Sequence, residues 1–539
     1  MDDFCVWAPT ARQVLVRVEG RTLPMSSAGG GWWRSEVAAG HGEDYAFLLD
    51  DDPTPLPDPR SRWQPAGVHG PSRWYDHDRF AWTDAGWRGR QLAGSVIYEL
   101  HVGTFTAEGT LDSATERLDH LVWLGVDLVE LMPVAAFPGV AGWGYDGVHP
   151  YAVHQPYGGP DALKRFVDAC HDRGLAVCLD VVYNHLGPSG NYLPRFGPYF
   201  ADKHHTPWGQ GINLDDDGSH EVRRWVIDNA LMWLRDYHID ALRLDAVHAL
   251  ADDSAVHLLA ELSREVDALA THLGRPLSLI AESDLNDPAM VTPVEGGGLG
   301  MTAQWSDDLH HALHSLLTGE GQGYYADFAA DPVAALEKTY RGAFFHDGCH
   351  SSFRGADWGR PVDTDRVPGW RFLAYLQTHD QVGNRALGER ISHLAPLDQV
   401  KLGAALYLLS PFTPMIFMGE EWGASTPWQY FTSHEEPELA TAVREGRRRE
   451  FAGHGWDAED VPDPQDPETV RRSTLDWSEL EKPEHAGLLA WYRDLIALRK
   501  ARPELSDPRL SSADLQVSDG LVTLHRGGRL VLDRGRLVR

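Results

Sequence analysis

The chain has 539 residues and carries 48 Lys and Arg against 79 Asp and Glu, a formal charge of −31. The charge is spread without long runs of one sign, which argues against nucleic acid or anionic membrane partners and favours a neutral ligand. A 42 % apolar content is ample for globular cores, and the length calls for about three domains rather than one.

Residues 1–85 alternate short strand-like runs with turns: Phe4–Trp7, Gln13–Val18, Trp32–Val37 and Asp44–Leu49. Val14, Val16 and Val18 alternate with Leu15 and Arg17, and Gly29-Gly30-Gly31 breaks the pattern, as a small β-sandwich requires. Trp32 and Trp33 are expected to pack rather than to stack on a ligand. The segment 52–59, with four prolines, reads as a stiff connection. The opening Met1-Asp2-Asp3-Phe4 lacks a basic leader with an apolar run, and no stretch reaches the roughly eighteen apolar residues of a membrane span, so a soluble cytoplasmic protein is expected. Cys5, Cys170, Cys178 and Cys349 show no Cys-x-x-Cys spacing, and histidine pairs such as His204-His205 are adjacent rather than at helical ligand spacing. Reduced thiols, no metal site and no cofactor are the expectation.

From 95 to 504 the pattern becomes strand, helix, strand, helix, which predicts a parallel sheet covered by helices. Ser95–Val102 and Val126–Leu131 are the first two strands; Leu163, Phe166, Val167 and Cys170 then fall at helical spacing, with Gly174 stopping the helix before the third strand. Asp245, Glu282, Trp305–Asp308, Asp380 and Phe417–Glu421 mark the ends of strands four to eight. Eight such units predict a TIM (β/α)8 barrel, whose functional groups lie at the C-terminal ends of its strands. Residues 186–220 show no clear period and read as an irregular excursion after the third strand. Leu488 to Leu498 form the last barrel helix, ended by Pro503, and 505–539 read as an abbreviated C-terminal β-domain with strands at Leu521–Leu524 and Arg529–Leu532.

Four apolar runs close on polar groups: Ala176–His185, Ile239–His248, Leu277–Ser283 and Phe372–Asp380. In the second, Arg243 two residues before Asp245 can hold that carboxylate ionised and aimed, as a carboxylate nucleophile needs. A strand-capping pair is the plainer reading of that stretch alone. Taken in order, the four resemble the signature regions of the α-amylase superfamily of glycoside hydrolases, with Asp180, Asn184 and His185, then Arg243 and Asp245, then Glu282, then His379 and Asp380 in the matching places. The resemblance implies a retaining hydrolase with Asp245 as nucleophile, Glu282 as acid/base and Asp380 as a third carboxylate. The N-terminal module resembles the immunoglobulin-like module of relatives that act on branched or modified glucans. Glu282 follows Leu279-Ile280-Ala281 with no cation nearby in sequence, a setting that favours a protonated acid.

Within the superfamily, the stretches 142–147, 307–311, 379–385, 417–422 and 444–451 resemble the trehalose-releasing maltooligosyltrehalose hydrolases. That implies cleavage of the α-1,4 bond next to a terminal trehalose unit, with an oligosaccharide as the substrate. The implied substrate-binding residues are Tyr145, Asp146, Asn184, His185, Arg243 and His248, then Asp307, Asp308, His310 and His311, then His379, Gln381 and Asn384. Two departures are the short C-terminus and Thr378, where Asn is commoner. A glycogen branching or debranching enzyme, or a glucan-binding protein without catalysis, remain the alternatives.

Overall fold

The computed structural model describes residues 3–452, 460–518, 521–533 and 536–537; Met1, Asp2 and the last two residues of the expected C-terminal β-domain lie outside that range. The N-terminal module consists of two antiparallel sheets. One orders Asp3–Trp7, Trp32–Ala38 and Ser26–Gly29; the other orders Arg21–Pro24, Val14–Val18, Asp44–Leu49 and Ser72–Arg73. Val14, Val16 and Val18 turn inward with the period of two that a pleated strand imposes. Phe4 from the first sheet meets Tyr45 of the second, ring centroids 4.7 Å apart, inside one shared core. Trp33 donates its indole N–H to Ala8 O at 3.1 Å and Trp32 lies under the Arg60 guanidinium at 5.6 Å, so both rings are packed. The proline-rich segment is followed by the seam to the barrel, where Trp225 donates to Pro59 O at 3.0 Å and Trp63 to Gln155 Oε1 at 2.7 Å.

Eight parallel strands close the barrel: β1 (Ile97–Leu100), β2 (Leu128–Leu131), β3 (Ala176–Val181), β4 (Ala241–Leu244), β5 (Ser278–Ala281), β6 (Ala303–Trp305), β7 (Phe372–Ala374) and β8 (Thr413–Phe417), with β8 pairing back onto β1. Every residue of these strands is buried, which is why they read as apolar runs rather than as alternating ones. Ile97, Leu128, Cys178, Ala241, Ile280 and Met415 fill the interior. Two residues further along, the same inward face carries Glu99, Glu130, Asp180 and Arg243, all buried. The barrel is therefore apolar at its base and charged at its C-terminal mouth.

The excursion after β3 is more ordered than its sequence suggests. Phe200–Thr206 pairs with Gly209–Ile212 as an antiparallel hairpin, and Gly209, at φ +117°, supplies the turn that a side chain would strain. The helix Ser219–Asp236 begins where the excursion is expected to end. At the other end, Ala513–Ser518, Leu521–Arg526, Arg529–Asp533 and Arg536–Leu537 form one antiparallel sheet. The first of these strands is not apparent in the sequence, because Asp514, Gln516 and Ser518 dilute its apolar signal. The buried Arg526 guanidinium ties this sheet to the barrel, donating to Leu409 O and, at 2.7 Å, to Asp507 O. All four cysteines are free thiols. Among the described residues no helix is long and apolar enough to cross a membrane.

Candidate active site

The mouth of the barrel is organised by Arg243, which the inward register of β4 places with no exposed surface. Its Nη1 donates to Asp180 Oδ2 at 2.8 Å and to Asp245 Oδ1 at 2.9 Å. Its Nη2 lies 2.8 Å from Glu282 Oε2, an ion pair without hydrogen-bond alignment. The guanidinium rests on the Trp305 ring at 4.3 Å. Burying one cation among three carboxyls is costly in itself, and such a cluster is repaid only by tight mutual geometry. After Asp245 the backbone turns sharply: Ala246 has φ +39°, a left-handed conformation that costs a non-glycine residue about 1–3 kcal/mol. That turn aims the Ala246 N–H at Glu282 Oε2, 2.7 Å away.

Burial raises the pKa of Glu282; Arg243 opposes the rise and Asp245 adds to it. Burial likewise lifts Asp180 to about 7 against the pull of Arg243, and burial raises Asp380.

His379 completes the cluster from the opposite side. Its Nδ1 lies 2.5 Å from Glu99 Oε1 and its Nε2 lies 2.8 Å from the Tyr145 hydroxyl. That hydroxyl donates to Asp180 Oδ2 at 2.6 Å, so the imidazole supplies the other proton and both ring nitrogens carry one. Burial works against this charge, but Glu99 and then Asp380 outweigh it and lift His379 to about 9. Asp380 Oδ1 is 3.7 Å from His379 Nε2 and accepts from Asn384 Nδ2 at 3.3 Å. Asp380 sits in the short helix His379–Gly383, which Thr378 caps. The Thr378 hydroxyl accepts from Asp380 N at 3.2 Å and donates to Gln381 Oε1 at 2.8 Å. Asn and Thr both serve as N-caps, so the departure at this position preserves the helix start. Thr378→Ala should cost about 0.5–2 kcal/mol of stability and Thr378→Asn much less, measured by thermal unfolding.

Beside Asp380 a cleft of about 260 Å³ is lined by Asp307, Asp308, His311, Gln381 and Asn384, together with Asp284 and Tyr324. Asp307 accepts from Tyr375 OH at 2.6 Å, and burial lifts it to about 7. Asp308 is engaged by the scaffold: its Oδ2 accepts from Asn286 Nδ2, Phe345 N and His346 N at 2.8, 2.7 and 3.0 Å. His311 lines the cleft, where burial lowers its pKa to about 4. His310 does not: it is fully buried, with Nδ1 on Leu376 O at 2.7 Å and Nε2 on Tyr325 OH at 2.9 Å. His248 stands at the rim, 3.8 Å from Asp284. On the other side of Tyr145, His185 Nε2 bonds Tyr145 O at 3.0 Å and stacks on Trp208 at 4.6 Å. Asn184 Oδ1 lies 3.2 Å from His185 Nδ1, leaving its buried Nδ2 without a partner. Asp146 lies 3.7 Å from His434 Nε2.

The sequence pattern does not point to Glu99, Trp305, Tyr375 or Asn286 as site residues, and it marks Asp180 only as part of a motif. An acidic residue inside an apolar strand, as in Tyr98-Glu99-Leu100, is the signal that could have found the first of them. His204, Asp215 and Asp253, brought together by the excursion and the loop after β4, could hold a metal ion, their ligand atoms lying within 4.8 Å of one another. The Lys203 ammonium, 2.8 Å from Asp215 and 3.0 Å from Asp253, already supplies positive charge there.

Residues 71–199 match the family model of the α-amylase catalytic domain. The chain is 58 % identical to the malto-oligosyltrehalose trehalohydrolase of Arthrobacter ramosus, over 97 % of this chain and 91 % of that one. It is 55 % identical to the enzyme of the same name from Mycobacterium tuberculosis, over 98 % of this chain and 92 % of that one. The chain belongs to the malto-oligosyltrehalose trehalohydrolase family. A crystal structure of a putative α-amylase from Salmonella typhimurium superposes with a TM-score of 0.91 at 42 % identity, covering 97 % of this chain and 88 % of that one. Identity above half over nearly the full length sets the chain apart from the branching and debranching enzymes that share its barrel.

Proposed function

We propose that the protein hydrolyses the α-1,4-glucosidic bond next to the terminal trehalose unit of maltooligosyltrehalose, releasing trehalose with retention at the anomeric carbon. The observation that carries this reading is the 58 % identity to a trehalohydrolase along nearly the whole of both chains. Retaining hydrolysis needs two carboxyl groups about 5–5.5 Å apart. Supporting that mechanism, one guanidinium reaches both Asp245 and Glu282. Glu282, whose pKa burial raises, gives its proton to the glycosidic oxygen as an Asp245 oxygen attacks the anomeric carbon. The C–O bond breaks, trehalose departs and a glycosyl ester to Asp245 remains. Water then attacks the same carbon, losing its proton to the Glu282 carboxylate, and the ester bond to Asp245 breaks. Asp380 holds sugar hydroxyls, steadied by charged His379, and Tyr145 offers a ring to the glucose being cleaved.

Incubation with maltooligosyltrehalose should yield trehalose as the smaller product, and Asp245→Asn should abolish its release. Branched product, or equal cleavage of plain maltooligosaccharides of the same length, would reject the proposal. Selectivity for the bent, non-reducing trehalose requires polar groups satisfied only by the right hydroxyls. Asp307, His311, Gln381 and Asn384 line the cleft where that unit would sit. Asp308 acts there through Asn286 and the backbone at 345–346. Asp308→Ala should narrow the preference for maltooligosyltrehalose and lower Tm, since each orphaned buried donor costs about 1–3 kcal/mol. An unchanged Tm would show that the carboxylate is not bearing those three hydrogen bonds.

A further inference from the structure

A second cavity, of about 430 Å³, opens between the N-terminal module and the barrel, within the roughly 300–1,000 Å³ of small-molecule sites. Its walls are apolar at Val68, Phe137, Pro138 and Val140, the last 71 % exposed. Polar groups interrupt those walls. His69 Nδ1 lies 2.7 Å from Tyr192 OH, and its Nε2 lies 3.2 Å from Ser189 Oγ and 3.6 Å from Glu436 Oε1. Ser189 donates to Glu436 Oε1, while Glu436 Oε2 has no partner. His154, 2 % exposed, lines the same cavity with its Nε2 unpartnered. A few placed donors and acceptors among apolar faces suit a sugar ring, which offers C–H faces and hydroxyls that both give and accept hydrogen bonds.

The cavity adjoins the active site by two routes. Asp146, next to Tyr145, lies 3.7 Å from His434, which directly precedes Glu435 and Glu436 in the wall. Ser189 follows Asn184 and His185 on the same segment after β3. The arcs of the barrel rim are also distinct. The cleft beside Asp380 is built from segments after β5, β6 and β7, whereas this cavity uses segments after β2 and β8 together with the N-terminal module. A glucan lying across the mouth with its trehalose end toward Asp307 therefore points its other end at the second cavity. Resting on the proposed function, we infer that this cavity is a distal subsite for a glucosyl unit remote from the scissile bond, to which the N-terminal module contributes His69 and the backbone around Gly67. The module is thus part of the substrate path.

The test compares maltosyltrehalose with maltopentaosyltrehalose on the full-length protein. Glu436→Gln removes the free acceptor, and Val140→Arg fills the cavity from an exposed position whose change leaves the core untouched. In both variants the ratio of kcat/KM for the long over the short substrate should fall about tenfold, through KM rather than kcat, a loss of about 1.4 kcal/mol in binding. An unchanged ratio in folded Val140→Arg, with Tm as the check, overturns the inference. Should the wild type release no trehalose from either substrate, the proposed function fails by itself. Binding of maltoheptaose, followed calorimetrically, then decides the subsite: weaker binding by Val140→Arg sustains it, and equal binding overturns it.

Discussion

Glu282→Gln is expected to lower kcat on maltooligosyltrehalose by about 10²–10⁴-fold, the usual worth of a positioned general acid. Gln is nearly isosteric and can still accept from Ala246 N, so the turn at Ala246 should survive. What disappears is the proton for the leaving oxygen. A glycosyl fluoride, whose leaving group needs little protonation, should therefore lose far less of its bond-cleavage rate than maltooligosyltrehalose. The pH profile gives an independent reading. Because burial raises the Glu282 pKa, the acid form persists to higher pH than for an ordinary carboxyl, and wild-type kcat/KM should fall only as pH rises through that raised value. In Glu282→Gln this alkaline limb should be absent. Equal losses on both substrates with an unaltered profile would remove Glu282 from the acid role.

Arg243→Met should have the largest effect on the scaffold. The guanidinium is the shared partner of Asp180, Asp245 and Glu282, and none of its surface is exposed. Removing one member of a buried charged cluster costs about 3–5 kcal/mol, because the remaining charges are stranded. A fall in Tm should accompany a near-complete loss of activity. The residual activity is informative. Arg243 pulls the pKa of Glu282 and of Asp180 downward, so without it both should rise, and the alkaline limb of kcat/KM should move to higher pH. A variant with wild-type Tm and an unmoved alkaline limb would show that the cation does not hold this cluster together. Arg243→Lys retains the charge but not the fork that meets Asp180 and Asp245 on one nitrogen and Glu282 on the other, so it should recover stability more than rate.

The features legible in the bare chain follow from local regularities. Buried parallel strands are apolar runs, and a polar group that ends such a run lies at the barrel mouth; that places Arg243, Asp245 and Glu282 at strand ends in the bare chain, while the roles expected of them come from the resemblance of the four runs to the superfamily's signature regions. The sandwich is legible for the same reason, since Val14, Val16 and Val18 alternate with the pleat. Pairings between distant strands are not legible. Glu99 meets His379 across 280 positions of sequence, and only barrel closure sets β1 against the segment after β7. Adjacent histidines are equally ambiguous. On the helix Asp307–Thr318, His310 points into the core toward Tyr325 and His311 lines the cleft, because neighbouring residues on a helix project about 100° apart and packing alone decides which faces the solvent. The carboxylate of Asp308 reads in the sequence as a ligand for sugar; in the fold it lines the cleft while its Oδ2 accepts from the backbone at 345–346, hydrogen bonds that no local pattern reveals. Local pattern encodes periodicity and strand ends; which side chains end up as partners depends on chain segments that sequence leaves far apart and the fold brings within hydrogen-bond reach.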